Sequence, residues 1–441
     1  MSTRFLPALA LLSVCSLINL PAAATSQARI VRLSDVHGTV QINKSGAFER
    51  AFLNLPITQG TQLKTGADGR AEVEFEDGSS LRVGPDSAVT FTALTLDDSG
   101  TRNSAINLAK GIAYLDWLGK DQVSLKFSQE TVALDHAAHF RVANASDVAS
   151  LSVFKGPVDV DSPDGKLTLE KHKTATFDHA ENDKSKVTNK VEEAKLDSWD
   201  KDATSYHDEY AKVKNDPSPY GYGLSDLNYY GAFSTVPGYG MMWQPFFTGV
   251  GWDPFMDGAW GFYPGMGYMY ASAYPWGWLP YRYGNWMFIP SMGWMWQPGM
   301  WNAYTAIPRY TAAAGVPVHA LVPPTGTTQT VAIGRAAQMS TRTSSRMVLS
   351  RGSAGLFIPR GSIDNLRSIN HEVAKHGFVN MQPTPQFAVQ TQRRVGFAAE
   401  SSAFHGEGEM EGRPMASAPP VASAPASTGS AAHASSGGGH R

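Results

Sequence analysis

Aromatic residues, glycine and proline are concentrated in one stretch of this 441-residue chain, residues 220–301, which holds nine of the eleven tryptophans. The stretch repeats itself three times, and Pro-x-x-Gly turns that start at Pro237, Pro264 and Pro290 give spacings of 27 and 26 residues. A repeat of this length with two turn signals per copy is one supersecondary unit. The spacing predicts three short β-hairpins, each of which stacks its aromatic face on the next copy.

Charge is almost absent from this stretch, and that limits the chemistry it can perform. The only charged residues between positions 217 and 301 are Asp226, Asp253, Asp257 and Arg282, and neither cysteine nor histidine occurs there. Such a composition favours packing or binding over catalysis. The pattern resembles the Trp/Gly/Pro-rich repeats, roughly Tyr-x-Gly-x-Trp, of uncharacterised exported bacterial proteins. That resemblance implies an exported location and a repeat architecture.

Two interpretations of the rings remain open from the sequence. They could form the core of a small domain with few aliphatic residues. They could instead leave one face exposed as a platform for sugar rings or proline-rich peptides, with Arg282 as an orienting cation. The binding interpretation predicts that the partner contacts ten residues: Trp252, Trp260, Trp276, Trp278, Tyr281, Arg282, Tyr283, Trp286, Trp294 and Trp296.

The N-terminus predicts export. Arg4 is followed by an apolar run over residues 5–20 and by small residues that end at Ala24, which is typical of a secretory signal peptide over residues 1–24. Asn19 and Pro21 interrupt a run that is already shorter than the ~20 residues of a membrane span. Cys15 is the only cysteine, so the exported chain would contain neither disulfides nor thiols.

Residues 29–178 alternate apolar and polar side chains, with turn signals every 8 to 12 residues. Asp68-Gly69 and Asp77-Gly78 are examples of these turn signals. A period of two over short runs predicts an all-β sandwich or curled sheet with one buried face.

Within this region the run from Thr65 to Glu72, Thr-x-x-Asp-Gly-Arg-Ala-Glu, leads into Asp77-Gly78-Ser79, and segments 108–115 and 153–160 continue the pattern. The region resembles a FecR-type domain. That resemblance implies the periplasmic part of an iron-uptake regulator, which receives a signal from an outer-membrane receptor while a separate cytoplasmic segment controls a sigma factor. We expect this role not to carry over whole, because no segment precedes the predicted signal peptide and no spanning helix is predicted.

A charged stretch over residues 182–216 follows. Val187, Val191, Trp199, Tyr206 and Tyr210 recur mostly at helical spacing, which predicts one amphipathic connecting helix of about thirty residues. It could be a strut between domains or a dimerising coiled coil.

Beyond the repeat, residues 304–398 predict a small mixed region with a helix over 365–375, capped by Ser362 or Asp364. Residues 401–441 consist mainly of Ala, Ser, Gly and Pro and predict a disordered tail.

Two residue pairs are candidates for a reactive or metal-binding site. His136 and His139 have metal-like spacing, but residues three apart on a strand point to opposite faces, so we predict no shared ion. Asp253 and Asp257 could act as paired acids on a sugar. Turn formation is the favoured role, because Asp before Pro or Gly is typical of turns and the third copy has no acid at the equivalent positions.

The sequence thus predicts a mainly β protein with a FecR-like domain, a connecting helix, an aromatic hairpin-repeat domain and a disordered tail. The predicted function is that of an exported, non-enzymatic envelope protein that binds a protein or polysaccharide. The alternatives are a periplasmic signal-receiving component and, as the weakest, a cell-wall glycan hydrolase. No cofactor or metal is predicted, and the formal net charge of -2 predicts no nucleic-acid binding. The oligomeric state is left open.

Overall fold

The structure, a computed structural model, describes residues 27–211, 218–338 and 347–381. The predicted signal peptide and the predicted disordered tail lie outside the described residues. The described helices are α1 Asp197–Tyr210, α2 Leu224–Tyr230, α3 Leu279–Arg282 and α4 Leu366–His376, with 3-10 turns at His179–Glu181 and Gly334–Gln338.

The chain is mainly β, as predicted. The strands of the N-terminal half are β1 Gln27–Ala28, β2 Val31–His37, β3 Val40–Asn43, β4 Phe48–Arg50, β5 Pro56–Ile57, β6 Gln62–Thr65, β7 Arg70–Glu74, β8 Ser80–Val83, β9 Ala88–Leu96, β10 Arg102–Trp117, β11 Gln122–Phe127, β12 Glu130–Leu134, β13 Ala138–Asn144, β14 Val148–Lys155, β15 Val158–Ser162, β16 Gly165–Leu169, β17 Thr174–Asp178 and β18 Lys184–Thr188. The later strands are β19 Gly231–Val236, β20 Gly240–Pro245, β21 Gly258–Tyr263, β22 Gly267–Ser272, β23 Asn285–Ile289, β24 Gly293–Gln297, β25 Tyr310–Thr311, β26 Val331–Ile333, β27 Met347–Ser350 and β28 Phe378–Met381.

Strand β10 joins the two sheets of the N-terminal domain. Its first half pairs with β9 and β11, whereas its second half pairs with β8 and β13. Gly111 lies between the halves with φ +97°, and a Cβ atom there would come within 2.1 Å of Ser87 Oγ. The bend therefore requires glycine. Alternating side chains such as Leu33, Val73 and Leu115 fill the space between the sheets and are buried.

The connecting helix is shorter than the sequence predicts. Lys184–Thr188 is not helical but forms β18, which pairs with β17, and α1 begins only at Asp197. Asn182 and Asp183 both have left-handed φ values, 55° and 54°, and they turn the chain into β18. Asn and Asp tolerate that conformation at low cost. Residues 212–216 of the predicted helix lie outside the described residues.

The three repeats form hairpins at the predicted positions, but they do not stack in chain order. Hairpin 1 (β19–β20) joins hairpin 3 (β23–β24) edge to edge, through the pair Trp243 and Trp296. The resulting sheet has the order β19-β20-β24-β23-β25. Hairpin 2 (β21–β22) instead pairs with β26, a strand from the region after the repeat.

The three hairpin turns share one backbone conformation. In each turn the fourth residue donates its N–H to the carbonyl of the first, at 3.0 to 3.1 Å, across a proline at the second position. The third position is Gly238, Gly265 or Ser291, with φ of 79°, 78° and 66°. This is a type II turn, whose third residue needs a positive φ. Only the third copy places a side chain there.

Replacement of Ser291 by glycine should stabilise the protein, because it removes the left-handed strain of a residue with a Cβ atom. We expect the free energy of unfolding to rise by roughly 0.5–1 kcal/mol, measured by denaturant unfolding. The matched control is Gly265→Ser in the second turn, where an added Cβ has no atom within 4 Å. It should lower stability by a similar amount, and two changes of the same sign would contradict the turn assignment.

Candidate functional site

The ten predicted binding residues lie in the interior. None is more than 6% exposed, and Trp276, Trp278, Tyr281, Trp286 and Trp296 are at 0%. The nine aromatic ones belong to one apolar cluster that also includes side chains from α2 and from the region after the repeat.

Trp276 is at the centre of this ring cluster. Its ring stacks on Tyr274 at 4.9 Å and 8°, and it contacts Trp243 at 4.9 Å and Trp286 at 5.9 Å. The indole Nε1 donates to the carbonyl of Ala354 at 2.7 Å, so the later chain closes over the ring. Aromatic pairs at such distances stabilise a core beyond the area they bury.

Arg282 binds the main chain and does not face solvent. Its guanidinium lies 5.1 Å from the Trp278 ring and donates to the carbonyls of Thr305 and Ala306 at 3.2 Å and to that of Tyr270. It therefore fixes the loop after the repeat and is not available to orient a ligand. At these ten positions the structure corrects the exposed-platform interpretation, because the space that a ligand would need is filled by other rings.

The two acids of the second repeat each hold a later segment. Asp253, 2% exposed, accepts from the main-chain N–H of His319 at 3.1 Å, and its Oδ2 lies 2.6 Å from the imidazole Nδ1. Asp257, 1% exposed, accepts from the Arg335 side chain at 2.5 and 3.0 Å and from the Tyr274 hydroxyl at 2.8 Å. The two acids therefore fasten residues 319 and 335 of the region after the repeat to the second copy.

The two histidines with metal-like spacing have separate partners. His136 lies beside Asp135 at 3.0 Å and the carbonyl of Pro157 at 3.1 Å, whereas His139 lies 2.8 Å from Asp200. Among the described residues no group of three or more His, Cys, Asp or Glu side chains is arranged to hold a metal ion.

Residues 218–308 contribute no charged side chain to the outer surface of the repeat region. All four charged residues between positions 218 and 308 are at most 2% exposed. The residues that do reach solvent include one large apolar side chain at the tip of each turn: Tyr239, Met266 and Met292, at 36%, 42% and 42%. We call these three the tip residues. Each is the fourth residue of its type II turn.

Further apolar side chains are exposed near the first tip. Met241 and Met300 are 40% and 57% exposed, and Gln297, three residues before Met300, donates to the Tyr239 carbonyl at 2.8 Å. The tryptophan rings of the repeat thus lie inside, and uncharged, apolar side chains lie outside on the turns. These exposed turns are the part of the region best placed to contact another molecule.

A second group of unusual residues lies where the N-terminal domain meets the repeat. Arg32 of β2, fully buried, donates to Glu74 at 2.9 Å and also pairs with Asp226 of α2. Arg360, from the region after the repeat, donates to Asp226 at 2.8 Å and to Glu72 of β7 at 2.7 Å. These ion pairs connect three distant parts of the chain.

Helix α1 completes this network. Tyr206 donates to Asp226 at 2.8 Å, His207 Nε2 lies 3.1 Å from Glu72, and Arg82 donates to Glu72 at 2.9 Å. Burial alone would raise the pKa of Glu72, but His207, Arg82 and Arg360 outweigh burial and hold that pKa well below its usual range. We call the set Arg32, Glu72, Glu74, Arg82, Tyr206, His207, Asp226 and Arg360 the junction network.

One buried carboxylate lacks such partners. Glu130, at the start of β12, is fully buried, and within the described part of the chain neither of its oxygens has a hydrogen-bond partner. Burial, with a further contribution from the Asp183 carboxylate, raises the pKa of Glu130 to about 7. The folded state therefore binds the carboxyl proton of Glu130 more tightly than the unfolded state does. Protonation of Glu130 stabilises the fold fully below about pH 4.5, and this contribution is lost as the pH rises to about 7.

Comparisons with known proteins divide the chain in the same way. The FecR protein family matches residues 61–159, and DUF6600, a family of unknown function, matches residues 224–320. The chain therefore carries a FecR domain followed by a DUF6600 region. No curated protein shows significant similarity to the chain. Among the described residues no helix combines the length and the apolar character needed to cross a membrane.

Two solved structures resemble part of the chain, and both are of a candidate anti-sigma factor from Parabacteroides distasonis ATCC 8503. The first is 17% identical to this chain with a TM-score of 0.27, and the match covers 31% of this chain and 63% of the solved chain. The second is 16% identical with the same TM-score, and the match covers 33% of this chain and 71% of the solved chain. The chain thus spans less than two thirds of the first structure, and a similarity of this size supports no argument about function.

Neutralising Asp226 should destabilise the whole protein, because Arg32 and Arg360 would lose a buried counter-charge. We expect Asp226→Asn to cost about 3 kcal/mol or more in the free energy of unfolding. The control is Asp208→Asn, an exposed acid on α1, which should change it by less than about 0.5 kcal/mol. Equal effects of the two substitutions would contradict the role of the junction network.

Removing the Glu130 charge should flatten the pH dependence of stability. The native protein should lose up to roughly 3 kcal/mol between about pH 4.5 and 7 through this group, whereas Glu130→Gln should lack that loss. Denaturant unfolding at both ends of this range measures the difference. Glu170→Gln, at an exposed position, should keep the native pH slope, and an unchanged slope in Glu130→Gln would exclude the assignment.

Proposed function

We propose that this chain, which carries a FecR domain followed by a DUF6600 region, is an exported, non-enzymatic protein of the cell envelope that binds a partner through the outer surface of its repeat region. The observation that carries the proposal is the distribution of charge and apolar side chains on that surface. All four charges of residues 218–308 are buried, while Tyr239, Met266 and Met292 are exposed at equivalent turn positions.

A protein partner fits this surface better than a polysaccharide. Sugars stack on the flat faces of aromatic rings, and the tryptophans of the hairpins have their faces covered by other rings. Tyrosine and methionine side chains on rigid turns instead resemble the anchors of protein interfaces, which are rich in aromatic residues and methionine and poor in charge at their centre. Fixed turns also lower the entropy lost on binding.

A catalytic role has less support. The two acids of the second repeat are occupied by His319 and Arg335, and the buried charges of the junction network are paired with one another. None of these groups combines an open cleft with a free nucleophile or general base, which hydrolysis of a glycan would require.

The FecR match favours a second candidate function, in which residues 61–159 receive a signal from another envelope protein. The junction network would then transmit the binding event rigidly between the repeat region and the FecR domain. Deletion of the gene should change transcription that depends on a sigma factor if this candidate is right, and leave it unchanged if the chain only binds.

Site-specific photo-crosslinking tests the main proposal. A photoreactive residue is placed at Tyr239, Met266 or Met292 of the full chain in its native host, and at the exposed Asp98 of the β9–β10 turn as a control. We expect a discrete protein adduct from the tip positions and none from Asp98.

Once mass spectrometry has identified the adduct, binding is measured with the purified partner. The triple variant Tyr239→Ser, Met266→Ser, Met292→Ser should bind at least about ten times more weakly at unchanged stability. Tip-dependent sedimentation with peptidoglycan in place of an adduct would move the proposal to a polysaccharide. No adduct from any tip and no sedimentation would refute it.

A further inference from the structure

The exposed surface of the repeat region is rich in thioethers. Met241, Met266, Met292 and Met300 are 40–57% exposed, and two of them occupy the same position of equivalent turns. The turn geometry depends on the proline and on the residue with positive φ, and makes no demand for sulfur at the fourth position. The single cysteine, Cys15, lies in the predicted signal peptide, so the thioethers would be the oxidisable sulfur of the exported protein.

Each hairpin also carries a buried methionine close to the exposed one. Met242, Met269 and Met295 are 0–2% exposed, and Met242 and Met295 pack together with Val236 and Ile289 on one face of the first sheet. Each hairpin therefore has one exposed and one buried methionine within a few residues of each other. An oxidant in solution can reach one population while the other remains protected by packing.

We propose that Met241, Met266, Met292 and Met300 form an oxidation-responsive surface, at which conversion to methionine sulfoxide weakens partner binding and leaves the fold intact. The predicted loss of partner binding rests on the proposed function, whereas the predicted oxidation of the exposed thioethers does not. The oxidant is a two-electron oxidant such as hydrogen peroxide. Its terminal oxygen is transferred to the thioether sulfur, the sulfur is oxidised by two electrons, and water is released.

The sulfoxide changes the property on which binding would depend. It turns an apolar, flexible side chain into a polar one, and a polar group at the centre of a dry interface must lose its hydration without a matched partner. The four exposed methionines are absent from the buried core of the repeat, so the same change should have little effect on packing. A methionine sulfoxide reductase would reverse it.

The first experiment measures the chemistry alone. The full chain is treated with hydrogen peroxide and the oxidation rate of each methionine is followed by peptide mass spectrometry. We expect the exposed set, Met241, Met266, Met292 and Met300, to oxidise at least ten times faster than the buried set, Met242, Met269 and Met295, with an unchanged unfolding midpoint. Equal rates in the two sets, or unfolding that accompanies oxidation of the exposed set, would overturn the inference.

The second experiment measures the consequence, with the photoreactive residue at Tyr239 as the probe. Peroxide should reduce the adduct at least tenfold, and treatment with the reductase should restore it. The variant Met241→Leu, Met266→Leu, Met292→Leu, Met300→Leu, the Leu variant, keeps the apolar surface but removes the oxidisable thioethers, so its adduct should survive peroxide.

The two proposals fail in distinguishable ways. An adduct that survives peroxide in the native protein overturns the oxidation inference and leaves the binding proposal standing. If neither the untreated native protein nor the Leu variant forms an adduct from any tip, and neither sediments with peptidoglycan, the binding proposal fails, and the consequence proposed for oxidation fails with it.

Discussion

The junction network is the constraint on which the rest of the structure depends. Arg32, 0% exposed, carries a buried charge that Glu74 and Asp226 compensate, and Asp226 in turn also binds Arg360. The partners come from the FecR domain, from α2 and from the region after the repeat. Because an unpaired buried charge is so costly, none of these segments can leave without destabilising the others. Such a network adds little net stability over an apolar core, but it specifies one arrangement of the segments.

This arrangement explains why the rings are inside. The repeat hairpins contribute few aliphatic side chains, so tryptophan and tyrosine must supply the apolar area of the core. The chain after the repeat covers the rings that the hairpins do not cover themselves, as Ala354 does for Trp276. The four charged residues of 218–308 all form interactions in the interior, so these residues contribute no charge to the outer surface. The exposed apolar side chains of the turns are therefore the part of the repeat region that a partner can contact. The function proposed for the chain follows from this division between a ring core and apolar tips.

The sequence predicted the parts of the fold that depend on local chemistry. Pro-x-x-Gly marked the three turns, period-two alternation marked the sheets, and a polar capping residue marked the start of α4, although the residue that caps this helix is Asn365 and not Ser362 or Asp364. Pairing between hairpins was not predictable, because the copies are nearly equivalent and only Asp253 and Asp257 set the second one apart. The strand at Lys184–Thr188 was missed because Val187 and Val191 fit a helical spacing, although Asn182-Asp183 was a turn signal. Burial of the ten predicted binding residues depends on segments more than fifty residues away, as the contact between Trp276 and Ala354 shows. No local sequence pattern reveals such contacts.

We expect the repeat region and the FecR domain to unfold as one cooperative unit, because the junction network holds them together. Hydrogen-exchange mass spectrometry at increasing denaturant concentration tests it most directly, by comparing peptides that cover residues 138–144 of the FecR domain with peptides that cover 285–297 of the repeat. Both sets of peptides should lose protection in a single transition at the same denaturant concentration. Loss of protection in the repeat peptides at a lower concentration, while the FecR peptides remain protected, would contradict it.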